Sequence, residues 1–335
     1  MAEETIGNDY DFIIIGGGPT GILCGWECEQ AGLSYLILEK GPLVNSLYHF
    51  PDEMTFFSTS VRLEIADTPF LSHHPRPTRD EALEYYRRIV LDNKLNIRTF
   101  EAVDSVDRDK AHFAVRTEKD TYTSQAVIIA TGYYSQPNLM GVKGESLPKV
   151  DHYYKNAYPY IGKEVLVVGA ANSACDAALE CWQKGAKVSM AVRGAEINPR
   201  VKYWIKPNIE NRIKEGSIQA YFSTHVLEIE EDKVILENPK GRFAIDNDFV
   251  LALTGYHPDY KFLKSSGVAI EDDGVDTPVC DENHLESNIP NLYLAGVIQC
   301  GMKTHKLFIE NTRDHGKKIV DHYLMKHSIA EKQGV

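Results

Sequence analysis

Two stretches of this sequence carry small residues where a backbone has to lie against a diphosphate. The first runs from Asp11 to Gly21, and in it Gly16, Gly18 and Gly21 keep the G-x-G-x-x-G spacing behind the apolar run Phe12-Ile13-Ile14-Ile15. The second runs from Val165 to Ala174, with Gly169 followed by Ala171 at the second position of the motif and Ala174 at the third. Pyrophosphate binding there needs a tight bend, no side chain at the closest approach, and a helix N-terminus whose free N–H groups and dipole face the anion. Both stretches meet that need, so two dinucleotides are expected, the second held by Gly169, Ala171, Asn172, Ser173 and Ala174.

The residue that closes the next strand after each turn separates the two ligands. The strand Tyr35-Leu36-Ile37-Leu38 ends in Glu39, 23 residues beyond Gly16, close to the offset of a carboxylate that hydrogen-bonds a free ribose hydroxyl. The strand Lys187–Val192 ends instead in Arg193, whose guanidinium can grip a 2′-phosphate that a carboxylate would repel. The first site therefore reads as FAD and the second as NADPH. Arg200 and Lys202 lie near enough in the chain to assist Arg193.

Those sites need a scaffold, and the chain supplies one by repetition. After the first strand-helix-strand unit comes a Pro-rich, aromatic stretch from Gly41 to Pro77, too long and irregular for a structural connector and expected to bind ligand. Thr78 and Glu81 form a capping box that opens a helix with Ala82, Leu83, Tyr86, Ile89 and Val90 on its apolar face. Short alternating strands from Ile97 to Thr123 read as a meander, ending in the buried run 127–130 and the turn Thr131-Gly132. The second half repeats this order, with a helix expected over 172–183, alternating segments between Gln219 and Ile245, and a closing turn Thr254-Gly255. From His257 the chain is expected to return to the first fold, through the strand Asn291–Leu294 and a last helix from about Phe308 to Lys326. The expected fold class is α/β: two Rossmann-like dinucleotide-binding domains, the second inserted into the first, with FAD on 1–136 and 258–335 and NADPH on 137–257.

Composition excludes several classes. The 335 residues are 43% hydrophobic and 25% charged, as in an ordinary globular protein, and no apolar run is long enough to span a bilayer. The acidic start Met1-Ala2-Glu3-Glu4 does not resemble a secretory signal, so a cytoplasmic location is expected. A net charge of −12 argues against nucleic acid and anionic membranes as partners, and it leaves a homo-oligomer open. The six cysteines, at 24, 28, 175, 181, 280 and 300, include no C-x-x-C pair and no metal-ligand spacing. Cys24 and Cys28 lie one helical turn apart, where parallel side chains disfavour a disulfide.

Taken together, Ala130-Thr131-Gly132, Asn291-Leu292-Tyr293-Leu294-Ala295-Gly296 and the inserted second nucleotide fold resemble the two-domain flavoproteins typified by thioredoxin reductase. Within that group, Glu39-Lys40-Gly41, Thr55-Phe56-Phe57-Ser58, Tyr158-Pro159-Tyr160, Asn172-Ser173-Ala174, Gly255-Tyr256-His257-Pro258 and Phe308-Ile309-Glu310-Asn311 are similar to the bacillithiol disulfide reductase family. The resemblance implies FAD contacts at Lys40, Thr131, Gly132, Gly296 and Val297, and a nucleotide-side role for Gly255. Val297 stands where thioredoxin reductases have an acid, so contact there would come from backbone. Two departures bear on the chemistry. The segment Val150–Tyr154 replaces the thioredoxin reductase C-x-x-C, which excludes a flavin-to-dithiol relay. Thr20 stands where the bacillithiol disulfide reductases resemble Gly-Gly-Gly-Pro-Cys-Gly; its hydroxyl can cap the helix or bond a phosphate but cannot form a mixed disulfide.

The expected activity is hydride transfer from NADPH to FAD and onward to a small-molecule disulfide or a small redox protein. Thr20 and His152 are the candidate catalytic residues, the latter for proton handling near the domain junction. Alternative readings are a flavin-dependent monooxygenase and an NADPH-sensing flavoprotein without turnover.

Overall fold

A strand apolar along its length belongs in the middle of a sheet covered on both faces, and the run after Asp11 takes that place. In the computed structural model, which describes residues 9–109 and 112–333 and the side chains as far as 328, the chain clusters into two compact units. One comprises Met1–Tyr48, Ser58–Gln136 and Tyr256–Val335, the other His49–Phe57 and Pro137–Gly255.

The first unit opens with β1 (Asp9–Ile15), α1 (Pro19–Gln30) and β2 (Tyr35–Leu38). Two single-turn helices, α2 (Asn45–Tyr48) and α3 (Ser60–Leu63), interrupt the Pro-rich stretch, and α4 (Arg79–Asp92) follows it. The capping box of α4 forms: Thr78 Oγ1 accepts the Glu81 N–H at 3.3 Å and the Glu81 carboxylate accepts the Thr78 N–H at 2.8 Å. Then come β3 (Ile97–Arg98), β4 (Val103–Asp109), β5 (His112–Thr117) and β6 (Thr121–Ile129). The sheet order is β3-β2-β1-β6-β5-β4, with β1 parallel to both β2 and β6, and β4, β5 and β6 an antiparallel meander. The expected meander therefore begins at β4, because the short β3 pairs in parallel with β2. Phe12, Ile13 and Ile14 are fully buried in this sheet.

The second unit repeats the plan on β7 (Val150–Asp151), β8 (Glu164–Val168), α5 (Asn172–Gln183), β9 (Lys187–Val192), α6 (Lys206–Lys214) and β10 (Gln219–Phe222). A three-stranded antiparallel sheet of β11 (His225–Ile229), β12 (Lys233–Asn238) and β13 (Gly241–Asp246) precedes β14 (Phe249–Ala252), which joins the parallel sheet in the order β10-β9-β8-β14-β7. Its core packs α5 through Ala174, Cys175, Ala177, Ala178 and Cys181 against Val165, Val167 and Met190. Small side chains on one helix face let that helix sit close on its sheet. The segment His49–Phe57 is anchored here: Asp52 N–H donates to Lys155 O at 2.9 Å, Asn156 Nδ2 donates to the Asp52 carboxylate at 2.9 Å, and Phe57 stacks on Trp204.

The chain then re-enters the first unit with α7 (Tyr260–Ser265) and β15 (Leu292–Leu294), which pairs in parallel with β6. The last helix, α8 (His315–Gln333), begins seven residues later than the sequence suggests. Phe308 is extended, its N–H donating to the Asn311 side chain at 2.6 Å, and a single 3-10 turn at Ile309–Asn311 ends at Thr312 before α8 starts. A side chain that binds the backbone three residues back competes with helix propagation.

Candidate functional site

The first glycine turn is sterically determined. Gly16 has φ +111°, and a Cβ there would lie 2.6 Å from Ala130 O; a Cβ at Gly21 would lie 1.9 Å from Gly16 O. At Gly18 a Cβ would meet nothing within 4 Å, so the backbone there faces open space. Gly18 is the N-cap of α1, no side chain caps the helix, and its first turn holds no acid. The N–H groups of α1 are thus left for an external anion. Glu39 is buried, its carboxylate accepting the Gly17 N–H at 2.7 Å and the Gly41 N–H at 3.1 Å. Burial raises its pKa, opposed by those N–H groups. Lys40 is exposed beside it. Thr131 Oγ1, in the turn after β6, is buried without a hydrogen-bond partner among the described residues, and Gly132 has φ +66°. A buried orphan hydroxyl next to a bare helix N-terminus is the polar lining a bound dinucleotide would complete.

Thr20 sits at the second position of α1 and does not cap it. Its hydroxyl meets the Thr312 hydroxyl at 3.3 Å, and a Cβ on Gly296 would come within 3.1 Å of Thr20 Oγ1. Gly296, with φ +84°, is held from the other side by His315, whose Nδ1 accepts the Gly296 N–H at 3.0 Å. That bond requires the ring nitrogen to be unprotonated. Burial keeps it so, lowering the His315 pKa to about 4, partly offset by Asp314. Val297 lies next in a 3-10 turn, Gly296–Cys300. Behind Thr20, Cys24 and Cys28 are wholly buried; burial pushes the Cys24 thiol up to about 12 and Cys28 well above its ordinary value. Neither is a nucleophile at neutral pH.

The second turn is looser. Gly169 has φ +133° and a Cβ there would lie 2.5 Å from Leu253 O, but the third position accepts the methyl of Ala174. Ala171 caps α5 with no side-chain bond and no acid in the first turn. Ser173 and Arg193 are exposed. Asn172 uses its Oδ1 to accept the Lys202 N–H at 2.8 Å, and the Lys202 ammonium is bound to Asp176 at 3.0 Å. Lys202 thus enters the site already neutralised, because α5 brings Asp176 round to it. The closing Gly255, φ +92°, accepts the Asn138 N–H at 2.9 Å through its carbonyl. His152 lies in this unit with Nε2 3.6 Å from Glu145, whose carboxylate also accepts the N–H groups of Met140 and Gly141 at 2.7 Å. The Glu145 carboxylate beside the imidazole is thus fixed by two backbone N–H groups.

Sequence reasoning named Thr20, Gly296 and Val297 but missed Thr312 and His315, which complete that corner. The signal available was the histidine just beyond Phe308-Ile309-Glu310-Asn311, in a stretch read as helix.

The family model for pyridine nucleotide-disulphide oxidoreductases matches residues 13–296, which span both turns. The chain belongs to that family. It is an oxidoreductase with FAD and NADPH as cofactors. A relative from Bacillus subtilis, bacilliredoxin reductase, is 44% identical over 92% of this chain and 95% of its own length. The solved structure of bacillithiol disulfide reductase from Bacillus cereus matches with a TM-score of 0.93 at 40% identity, over 95% of this chain and 99% of that one. Thioredoxin reductase from T. acidophilum, 23% identical with a TM-score of 0.75 over 96% and 99% of the two chains, shares the fold. Among the described residues no helix is long and apolar enough to cross a membrane.

Proposed function

We propose that the first unit binds FAD through Gly16, Gly18, Gly21, Glu39, Lys40, Thr131, Gly132, Gly296 and Val297. The second unit binds NADPH through Gly169, Ala171, Asn172, Ser173, Ala174, Arg193 and Gly255, with Lys202 in a supporting place. The domain limits that go with this reading are 1–136 with 258–335, and 137–257. The flavin supplies the hydride chemistry when bound, accepting from nicotinamide and donating to the acceptor. The chain's own residues hold the rings and exclude water.

The acceptor is a low-molecular-weight disulfide, bacillithiol disulfide by similarity to the relatives. The observation that carries this reading is the corner at Thr20, a hydroxyl pair at a helix N-terminus in a chain whose neighbouring thiols are buried and protonated. On α1 itself the only thiols behind Thr20, Cys24 and Cys28, are buried and unreactive, so the reading is direct reduction by flavin or weak turnover. Introducing the thiol, Thr20→Cys, tests it. A gain in NADPH-dependent reduction of bacillithiol disulfide over a weak natural activity shows that a thiol is needed. Robust natural turnover, unchanged by Cys24→Ala with Cys28→Ala, shows direct reduction. No disulfide turnover in either protein, with fast oxygen-dependent NADPH oxidation, would overturn the reading in favour of a monooxygenase.

A further inference from the structure

The hydrogen bonds at the end of β15 pass from backbone to a side chain. Leu294 N–H donates to Leu285 O and Ala295 N–H to Ile129 O, both at 2.9 Å, but the next donor, Gly296 N–H, goes to His315 Nδ1 at 3.0 Å. Gly296 opens the 3-10 segment Gly296–Cys300 and lies close on α1, where its Cβ position is 3.1 Å from Thr20 Oγ1. The same imidazole nitrogen is met by Gln299 Nε2 at 3.3 Å, and that amide also donates to Leu294 O at 2.5 Å. One ring atom therefore gathers the start and the end of the turn.

The ring itself is fixed by the start of α8. His315 is 5% exposed, its N–H donates to Thr312 O at 3.2 Å, and the adjacent Gly316 packs on α1 with a Cβ position 3.1 Å from Cys24 Cα and 3.2 Å from Leu23 O. Thr312 donates its own hydroxyl hydrogen to Phe308 O at 3.1 Å, so in the pair with Thr20 it accepts and Thr20 donates. The approach to α8 thus receives one hydrogen from the strand end and one from α1. Asp314 and Lys318 act on the imidazole from its own element. Alpha-1 brings Glu27 and the buried Cys24 against Gly316, the 296–300 turn has Cys300 as its one titratable residue, and the strand ends Leu294-Ala295 and Ile129-Ala130 are uncharged.

We propose that His315 is a positioning residue of the flavin site: its unprotonated Nδ1 holds the end of β15 against Thr20, and protonation of that nitrogen, which sets donor against donor, loosens the hold on the flavin. The proposal rests on the assignment of FAD to the first unit and adds what keeps the cofactor there. An amide side chain could accept the same N–H at every pH. A histidine makes the bond conditional on its charge.

The test follows flavin release from diluted holoenzyme by the rise in flavin fluorescence between about pH 7 and pH 4, with far-ultraviolet circular dichroism of the same samples reporting the fold. The variants are His315→Gln, which keeps an acceptor and cannot titrate, and His315→Leu, which has no acceptor. His322→Gln serves as control, a histidine of the same helix bonded to Tyr293 instead. The natural protein's release rate rises about tenfold or more towards the acid end while the dichroism holds, as loss of one buried acceptor implies. His315→Gln releases slowly and evenly across the range, His315→Leu releases fast throughout, and His322→Gln keeps the natural profile. Equal pH dependence in the natural protein and His315→Gln overturns the proposal, and so does flavin loss that occurs only where the dichroism is lost. Should His315→Leu fail to fold, the comparison with His315→Gln still decides. Protein that neither holds nor takes up FAD would defeat the flavin assignment and the proposal with it, whereas a pH-independent release rate defeats the proposal alone.

Discussion

The two glycine turns do the same steric job with different tolerances. At the first, the helix comes so close that Gly21 has no room for a methyl, and a buried carboxylate ties the loop through Gly17 and Gly41. At the second, Ala174 is accommodated, the strand ends in an exposed arginine, and the nearest lysine is held by Asp176. On the assignment proposed above, the difference tracks the ligands. A cofactor that stays bound favours a closed, preorganised cradle, whereas a nucleotide that must leave every turnover favours an open one whose charge acts at the rim.

Breaking the tighter turn has the largest expected effect. Gly21→Ala places a methyl 1.9 Å from a carbonyl oxygen, so α1 has to shift or FAD has to go; purified protein should show most of its flavin absorbance lost and a lowered Tm. The counterpart at the looser turn, Ala174→Gly, removes one buried methyl and adds backbone freedom, and should cost only about 1–2 kcal/mol with the nucleotide site kept. Equal losses at the two positions would erase the contrast.

His315 gives the first unit a pH dependence whose sign is set by its depressed pKa. Between the ordinary imidazole value near 6.5 and about 4, the unfolded chain binds a proton that native His315 does not. Stability therefore falls as the pH drops through that window, by on the order of 3 kcal/mol in all. Denaturant titrations from pH 6.5 to 4.5 should show a shallower decline for His315→Asn than for the natural protein. Parallel slopes would mean that His315 is not held neutral.

Arg193→Ala sharpens the contrast from the other side. The lost charge-assisted bonds, about 1.5–3 kcal/mol, exist only with a 2′-phosphate, so KM should rise about 10- to 100-fold for NADPH and little for NADH. A common shift would make Arg193 a structural residue. The smallest effect is expected at Lys202→Gln, a change of a few-fold at most in KM for NADPH, because Asp176 already engages the ammonium.

Much of this was legible in the chain. Turn spacing, the acid after one strand and the arginine after the other, the span of α5 at Asn172–Gln183 and the capping box at Thr78 are local patterns, each decided within a few residues by steric fit or periodicity. The missing C-x-x-C excluded a dithiol relay by inspection. Other features belong to the tertiary structure alone. Thr312 reaches Thr20 across 292 positions, His315 locks a glycine on another element, and Asp176 takes Lys202 out of play. The stretch 308–314 has helical spacing yet breaks, because Asn311 binds the Phe308 backbone and the segment has to bring Thr312 to α1. The division has a physical cause: a turn's sterics and a helix's period are properties of neighbouring residues, whereas the partner of a buried hydroxyl or imidazole depends on which distant elements pack beside it.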